Sequence, residues 1–324
     1  MEPRSRLYKA ATFKSITHDQ SAWLKVVLSL AYRAGLLRLR VNTLYQPNSF
    51  DIFFWTLSFY ILIRWIQTSE SRWIYMAAIT LALGIYSKYN ILILIAALFP
   101  AILLTPHRKI FTDKHLYFGI AVGCLLIMPN MLWQYQHDFP TLRQLRELAD
   151  TQLVHVNRLD FLKDQLLYFI NSMFIIIAGL TGLVMYPPFR RYRVIGLTYV
   201  IAIMLFVFFK AKSYYAIGLY PVLLAFGAVY IAHLTSIGWK IYLRPVAVSL
   251  LIILFIPFIL TGFPNKSPEQ IKSQIGLYRS FGMLRWEDGQ EHHLPQDFAD
   301  MLGWRELAQK VDAVYDTIRD KDQT

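Results

Sequence analysis

The residues in this chain best suited to chemistry are cations and tyrosines set between apolar runs. The stretch KAKSYYAIGLYP at 210–221 places Lys210, Lys212, Tyr214 and Tyr215 between two segments long enough to cross a bilayer. Charge at such a position is costly in hydrocarbon and is expected only where a function requires it. A phosphate-bearing lipid headgroup at interface depth needs cations, and a lysine ammonium serves it as a compact point charge. Lys88 in the turn SKYN and Asp51 in LYQPNSFD are further charged residues at the mouths of apolar runs. Tyr214 and Tyr215 could hydrogen-bond a phosphate or stack on a sugar ring. Plainer readings exist for each: lysine at a helix end snorkels, tyrosine belongs to the interfacial belt, and Asp51 in a first turn complements the helix dipole.

These residues must be positioned by membrane-spanning helices. Of the 324 residues, 56% are hydrophobic, more than a globular interior needs. Apolar runs at 50–66, 73–86, 90–105, 116–133, 166–186, 194–209, 214–234 and 245–263 approach the length needed to cross about 30 Å of hydrocarbon. The sequence therefore predicts an all-α polytopic membrane protein with about 8 transmembrane helices. At 1.5 Å per residue the 73–86 run reaches only about 21 Å, so the SKYN turn is expected to lie below the membrane surface. Pro129 is expected to kink or stop its helix. In the polar link 134–165, Leu142, Leu145, Leu148 and Leu153 share one helical face, which suits an amphipathic interfacial helix.

The net charge of +12 is a matter of orientation. Arg64 with Arg72, Arg108 with Lys109 and Lys114, Arg190 with Arg191 and Arg193, and Lys240 with Arg244 occupy alternate links, which the positive-inside rule makes cytoplasmic. Nucleic acid is not an expected partner. By parity SKYN, the 134–165 link, KAKSYY and everything after 263 lie outside, although Arg38 and Arg40 fall on the outer side by the same count. The single cysteine, Cys124, excludes an intrachain disulfide. Three regions follow: an atypical N-terminal segment 1–43 with a weak, charge-interrupted run at 22–37, a transmembrane region 44–263, and a short extracytoplasmic C-terminal segment 264–324. Within the last, 302–318 reads as an amphipathic helix with Leu307, Val311, Val314 and Tyr315 along one side.

Other chemistry is sparse. His137 and Asp138 sit in the outer link, where they could touch an acceptor. His292 and His293 read as solvated surface, without the carboxylate or cysteine spacing of a metal site. No cofactor and no metal is expected.

The segments LYQPNSFDIFFW, GIYSKYN, MPNMLWQYQHDFPT and KAKSYYAIGLYP, in that order, resemble the bacterial membrane glycosyltransferases of the dolichyl-phosphate-mannose protein mannosyltransferase type, family 39 of the GT-C superfamily. LPQDFADMLGWRELAQKV at 294–311 resembles the extracytoplasmic tail of one subgroup. The resemblance covers residues 41–315. It implies a polyprenyl-phosphate-linked sugar donor, a lipid or protein acceptor, and transfer on the outer face of a bacterial inner membrane. By this likeness Lys212 and the tyrosines after it match the donor-phosphate region, which Lys88 and Lys210 would extend, and Asp51 matches an acidic position on the outer face. Such enzymes carry their principal catalytic aspartate in the first outer loop. No counterpart of that motif stands in 1–43, so Asp51 is the one clear candidate base, and either the chain is truncated at its N-terminus, or the missing part comes from another chain, or activity is lost. A non-enzymatic polyprenyl-phosphate-binding or transport protein, or one subunit of a split enzyme, is the alternative.

Overall fold

A computed structural model describes residues 46–262 and 266–318. The expectations for 1–43, including the run at 22–37, lie outside the described residues. Apart from one isolated bridge between Arg285 and Glu291, the regular structure described is helical. The described residues fall into two compact units that divide after Leu260.

The first unit contains α1 (Asn48–Thr68), α2 (Arg72–Ser87), α3 (Ile91–Leu103), α4 (Lys114–Gln136), α5 (Pro140–Thr151), α6 (Arg158–Tyr168), α7 (Met173–Met185), α8 (Arg193–Phe208), α9 (Tyr220–Leu234) and α10 (Leu243–Gly262). Short 3-10 turns at Pro106–Thr112, Pro187–Tyr192, Ser213–Leu219 and Gly238–Tyr242 join several of these helices. Polar side chains start two of them: Asp113 accepts from the His115 backbone N–H before α4, and Asn157 from that of Leu159 before α6. Both bonds satisfy a donor that the first helical turn leaves open.

Among the described residues, 5 helical segments are long and apolar enough to cross a membrane: Asn48–Thr68, Lys114–Gln136, Pro187–Phe208, Ser213–Leu234 and Gly238–Pro257. The number rises to 7 if two bent pairs each count as one span. This is fewer than the eight expected, for local reasons. The run expected at 166–186 is broken: α6 and α7 meet at 102°, across a segment in which Asn171 and Ser172 are buried. At the end of 90–105 the chain turns by 106° into the Pro106–Thr112 segment. Helix α2, at 16 residues, is short. Pro129, by contrast, does not stop α4, which continues to Gln136. The 134–165 link does contain a helix, α5, with Leu142 and Leu145 exposed, while Leu153 falls beyond it in a separate turn.

Packing couples α7 to α9, α3 to α8, α1 to α2 and α2 to α4. The α7–α9 crossing is close because it is made of glycine. A Cβ on Gly227 would collide with the Ile175 carbonyl, and one on Gly179 would lie 3.1 Å from the Gly227 nitrogen. Lipid tails give apolar helices little hydrophobic reason to associate, so such backbone approach is a main source of their attraction. The core around it holds Trp55, Phe59, Phe161, Phe206 and Tyr220. Large apolar side chains face outward along α4 and α10, among them Leu125, Met128, Leu132, Val246 and Ile253. A soluble protein does not expose continuous surfaces of this kind.

The second unit holds a small core of Ile271, Tyr278, Leu284 and Phe298. Ser267 and Gln270 form a capping box at the start of Pro268–Ser273. The amphipathic segment expected at 302–318 is the helix Trp304–Thr317, with Leu307, Val311, Val314 and Tyr315 exposed. His292 stacks on Trp286 with ring centroids 3.8 Å apart and contacts Asp288 Oδ2 at 2.8 Å. The Gln290 backbone N–H and the His292 ring hold the Asp288 carboxyl below the usual carboxylate range.

Candidate functional site

Two sets of polar contacts join the helix ends of the first unit. In one, Gln67 near the end of α1 donates to the Tyr192 hydroxyl at 3.1 Å, and His107 meets the Arg191 carbonyl at 2.7 Å, so the arginine-bearing turns lie together. In the other, the start of α1, the turn between α2 and α3, and the Ser213–Leu219 turn converge.

Asp51 lies at the centre of this second set. It occupies the first turn of α1 and is 5% exposed. Its Oδ1 accepts from Trp55 Nε1 at 3.0 Å, and its Oδ2 accepts from Asn90 Nδ2 at 2.8 Å. Asn90 Nδ2 also donates to the Tyr215 carbonyl at 3.0 Å, so one amide ties α1 to the turn that follows α8. Each carboxylate oxygen has two lone pairs, which leaves further acceptor capacity on Asp51.

Lys88 stands beside it. Its Nζ donates to Asn48 Oδ1 at 2.6 Å and lies 4.1 Å from the Tyr215 ring centroid and 5.1 Å from that of Tyr214. The two rings meet edge to face at 4.8 Å. Ring faces attract an ammonium through their quadrupoles, so the tyrosines hold the cation as well as lining the site. Burial pulls the Lys88 ammonium down from the usual lysine range to about 8; Asp51 opposes that shift and Lys212 adds to it.

Lys212 is the residue just before the Ser213–Leu219 turn, and its Nζ donates to Gln152 Oε1 at 2.6 Å. The segment around it is held from α6. Ser213 Oγ donates to Asp164 Oδ2 at 2.6 Å, and Gln165 Nε2 donates to the Ser213 carbonyl at 2.8 Å. The Tyr220 hydroxyl completes the set by donating to Gln165 Oε1 at 2.9 Å.

Lys210 has a different setting. Its backbone adopts the left-handed conformation, φ 51°. The Lys210 N–H bonds to the Val207 carbonyl at 3.3 Å and the Ala211 N–H to that of Phe206 at 2.9 Å. This is the Schellman arrangement that closes a helix, so Lys210 terminates α8. Among the described residues, no hydrogen bond or ion pair joins its side chain to Asp51 or Lys88. His137 and Asp138 stand at the α4–α5 turn. His137 stacks on Trp133 at 4.6 Å and meets the Trp133 carbonyl through Nδ1 at 2.8 Å; Asp138 has φ 55°. A polar chain leads from there toward Lys88: Gln134 Nε2 donates to Thr141 Oγ1 at 2.6 Å and to the Tyr89 hydroxyl at 3.1 Å, and that hydroxyl donates to Asn130 Oδ1 at 2.6 Å.

The structure thus brings Asp51, Lys88, Tyr214 and Tyr215 into one cluster and sets Lys212 at its edge. It adds Asn48, Trp55, Asn90 and Gln152, which sequence inspection passed over. Asn48 and Asn90 do stand inside the polar motifs QPNSFD and SKYN, and an amide within an otherwise apolar stretch was the signal available.

Residues 7–133 match the family model described as dolichyl-phosphate-mannose-protein mannosyltransferase. The match supports a membrane glycosyltransferase of the GT-C type at this coarse level, and the apolar helices agree with a membrane protein. It contains Asp51, Lys88 and Asn90, and it also takes in residues 7–43, which the sequence resemblance left aside. No curated protein and no solved structure matches the chain.

Proposed function

We propose that this protein transfers a sugar from a polyprenyl-phosphate carrier to an acceptor hydroxyl at the bundle end that holds Asp51, with that end facing outside the cell. The observation that carries the proposal is the close association of a carboxylate, a tyrosine-held ammonium and a second lysine among helix mouths. Lys88 and Lys212 would receive the phosphate, and Tyr214 and Tyr215 would line the carrier headgroup. In the transfer step the acceptor oxygen attacks the sugar C1 and the C1–O bond to phosphate breaks. The bond's electron pair leaves with the phosphate, whose charge the two ammonium groups stabilise, and the acceptor proton passes to Asp51. A bacterial inner membrane is the setting that the motifs suggest.

The test uses the purified full chain in nanodiscs with radiolabelled polyprenyl-phosphate mannose as the probe. The wild type is expected to bind it and, with acceptor present, to release polyprenyl phosphate. Lys212→Ala removes a charged hydrogen-bond donor worth about 1.5–3 kcal/mol, so Kd should rise about 10-fold or more. An unchanged Kd removes Lys212 from the site. One observation favours a second reading, a carrier-binding protein without turnover: both Asp51 oxygens already accept hydrogen bonds from protein donors. Tight binding with no release under any acceptor would establish that second reading.

A further inference from the structure

The Ser213–Leu219 turn reaches Asp51 by two separate routes. On one side, Gly218 packs directly against Trp55: a Cβ on Gly218 would lie 2.5 Å from Trp55 Cγ and 2.7 Å from its Cβ. Only a residue without a side chain lets the turn close over this indole, which is 0% exposed and stacks on Phe206 at 6.2 Å. So confined, the indole directs Nε1 at Asp51 Oδ1. On the other side, the Tyr215 carbonyl of the same turn holds the Asn90 amide, which donates to Asp51 Oδ2. Both carboxylate oxygens are therefore fixed by donors that one seven-residue turn keeps in place.

We propose that Trp55 and Asn90 are positioning residues for Asp51, and that the turn carrying Tyr214 and Tyr215 sets the orientation of the carboxylate through them. The catalytic half of this inference rests on the proposed function; the clamp itself does not. The arrangement has a mechanical consequence. A ligand that shifts Tyr215 moves the Asn90 amide and so releases or rotates the acid group, which links carrier occupancy to the placement of the base. A carboxylate held in one orientation presents its remaining lone pairs in a fixed direction, which is what proton abstraction from a bound hydroxyl requires.

Two readouts test the clamp. The first needs no turnover: a hydrophobic carbodiimide attacks a carboxyl group more readily once its oxygens are released from their donors, and modification of Asp51 is followed by peptide mass spectrometry. Trp55→Phe keeps an aromatic ring under Gly218 but deletes the N–H, and Asn90→Ala deletes the second donor. Each should speed modification several-fold in a chain whose unfolding temperature and elution volume stay close to wild type. Gly218→Ala, which displaces the indole, should act in the same direction. Lys109→Ala, exposed in the Pro106–Thr112 turn, should leave the rate unchanged. Equal rates in wild type, Trp55→Phe and Asn90→Ala overturn the proposal.

The second readout is kinetic and separates positioning from general damage. In the active protein, Trp55→Phe and Asn90→Ala should lower kcat about 10-fold while the carrier Kd moves less than about 2-fold. On an Asp51→Asn background the same substitutions should add nothing further. A full additional loss on that background overturns the positioning role. If the wild type neither binds nor turns over the carrier, the proposed function fails, and the carbodiimide rates still decide whether the clamp exists.

Discussion

At the scale of single residues, the site depends on how a half-buried ammonium is kept charged. Lys88 has its charged form disfavoured by burial, with a pKa near 8, and retains its proton at neutral pH with Asn48, two tyrosine rings and Asp51 around it. Its folded-state value lies below the lysine reference of 10.5. The positive charge is therefore present below about 8 and is lost as pH rises through that value, well before an exposed lysine would titrate. A phosphodiester carrier has no proton to lose in this range. Carrier affinity measured from pH 6.5 to 9.5 should accordingly fall on the alkaline side with a midpoint near 8. Lys88→Arg, whose guanidinium stays protonated, should abolish that slope; a slope surviving in Lys88→Arg would assign it to another group. The residues that carry charge were legible in the sequence because charge in an apolar chain is conspicuous. Their partners were not, since Asn90 and the Tyr215 carbonyl are 125 positions apart and neither motif announces the other. Lys210 adds a role that residue type does not reveal: within the KAKSYY motif its backbone closes α8.

At the scale of elements, helices were easier to foresee than their ends and bends. Hydropathy averaged over a span cannot register the four residues between Tyr168 and Met173, so 166–186 reads as one rod where the chain turns by 102°. That bend lets α6 present Asp164 and Gln165 to the Ser213 region, and a straight helix would carry them along the bundle instead. The glycine crossing of α7 and α9 was equally hidden, because its meaning lies in the facing backbone. Its importance can be measured. Gly227→Ala forces a methyl group against the Ile175 carbonyl, and overpacking of this kind costs about 1–3 kcal/mol. The unfolding temperature in detergent should drop clearly. Gly196→Ala is the control, since its Cβ would meet only Leu183 at 3.6 Å and alanine favours a helix over glycine; equal loss in the two variants would mean that the close backbone crossing is not what is being measured.

At the scale of the whole molecule, the two sets of polar contacts give the orientation a direct test. After Cys124→Ser removes the native thiol, Asp150→Cys and Arg190→Cys place single thiols on the outer link and on an arginine-bearing turn. In intact cells a membrane-impermeant maleimide should label position 150 and spare position 190, and the reverse pattern would invert the assignment. The membrane class followed from the apolar runs, and the meeting of the arginine-bearing turns from where the basic residues fall in sequence. The number of spans did not, because it depends on bends that composition leaves out. One consequence belongs to the tyrosine pair that cradles Lys88. An anion arriving at the ammonium would draw it off the two phenol rings and alter their electronic environment. Near-ultraviolet difference spectra should therefore report occupancy directly, making the protein its own optical sensor, with no dye attached and no knowledge of which sugar it carries.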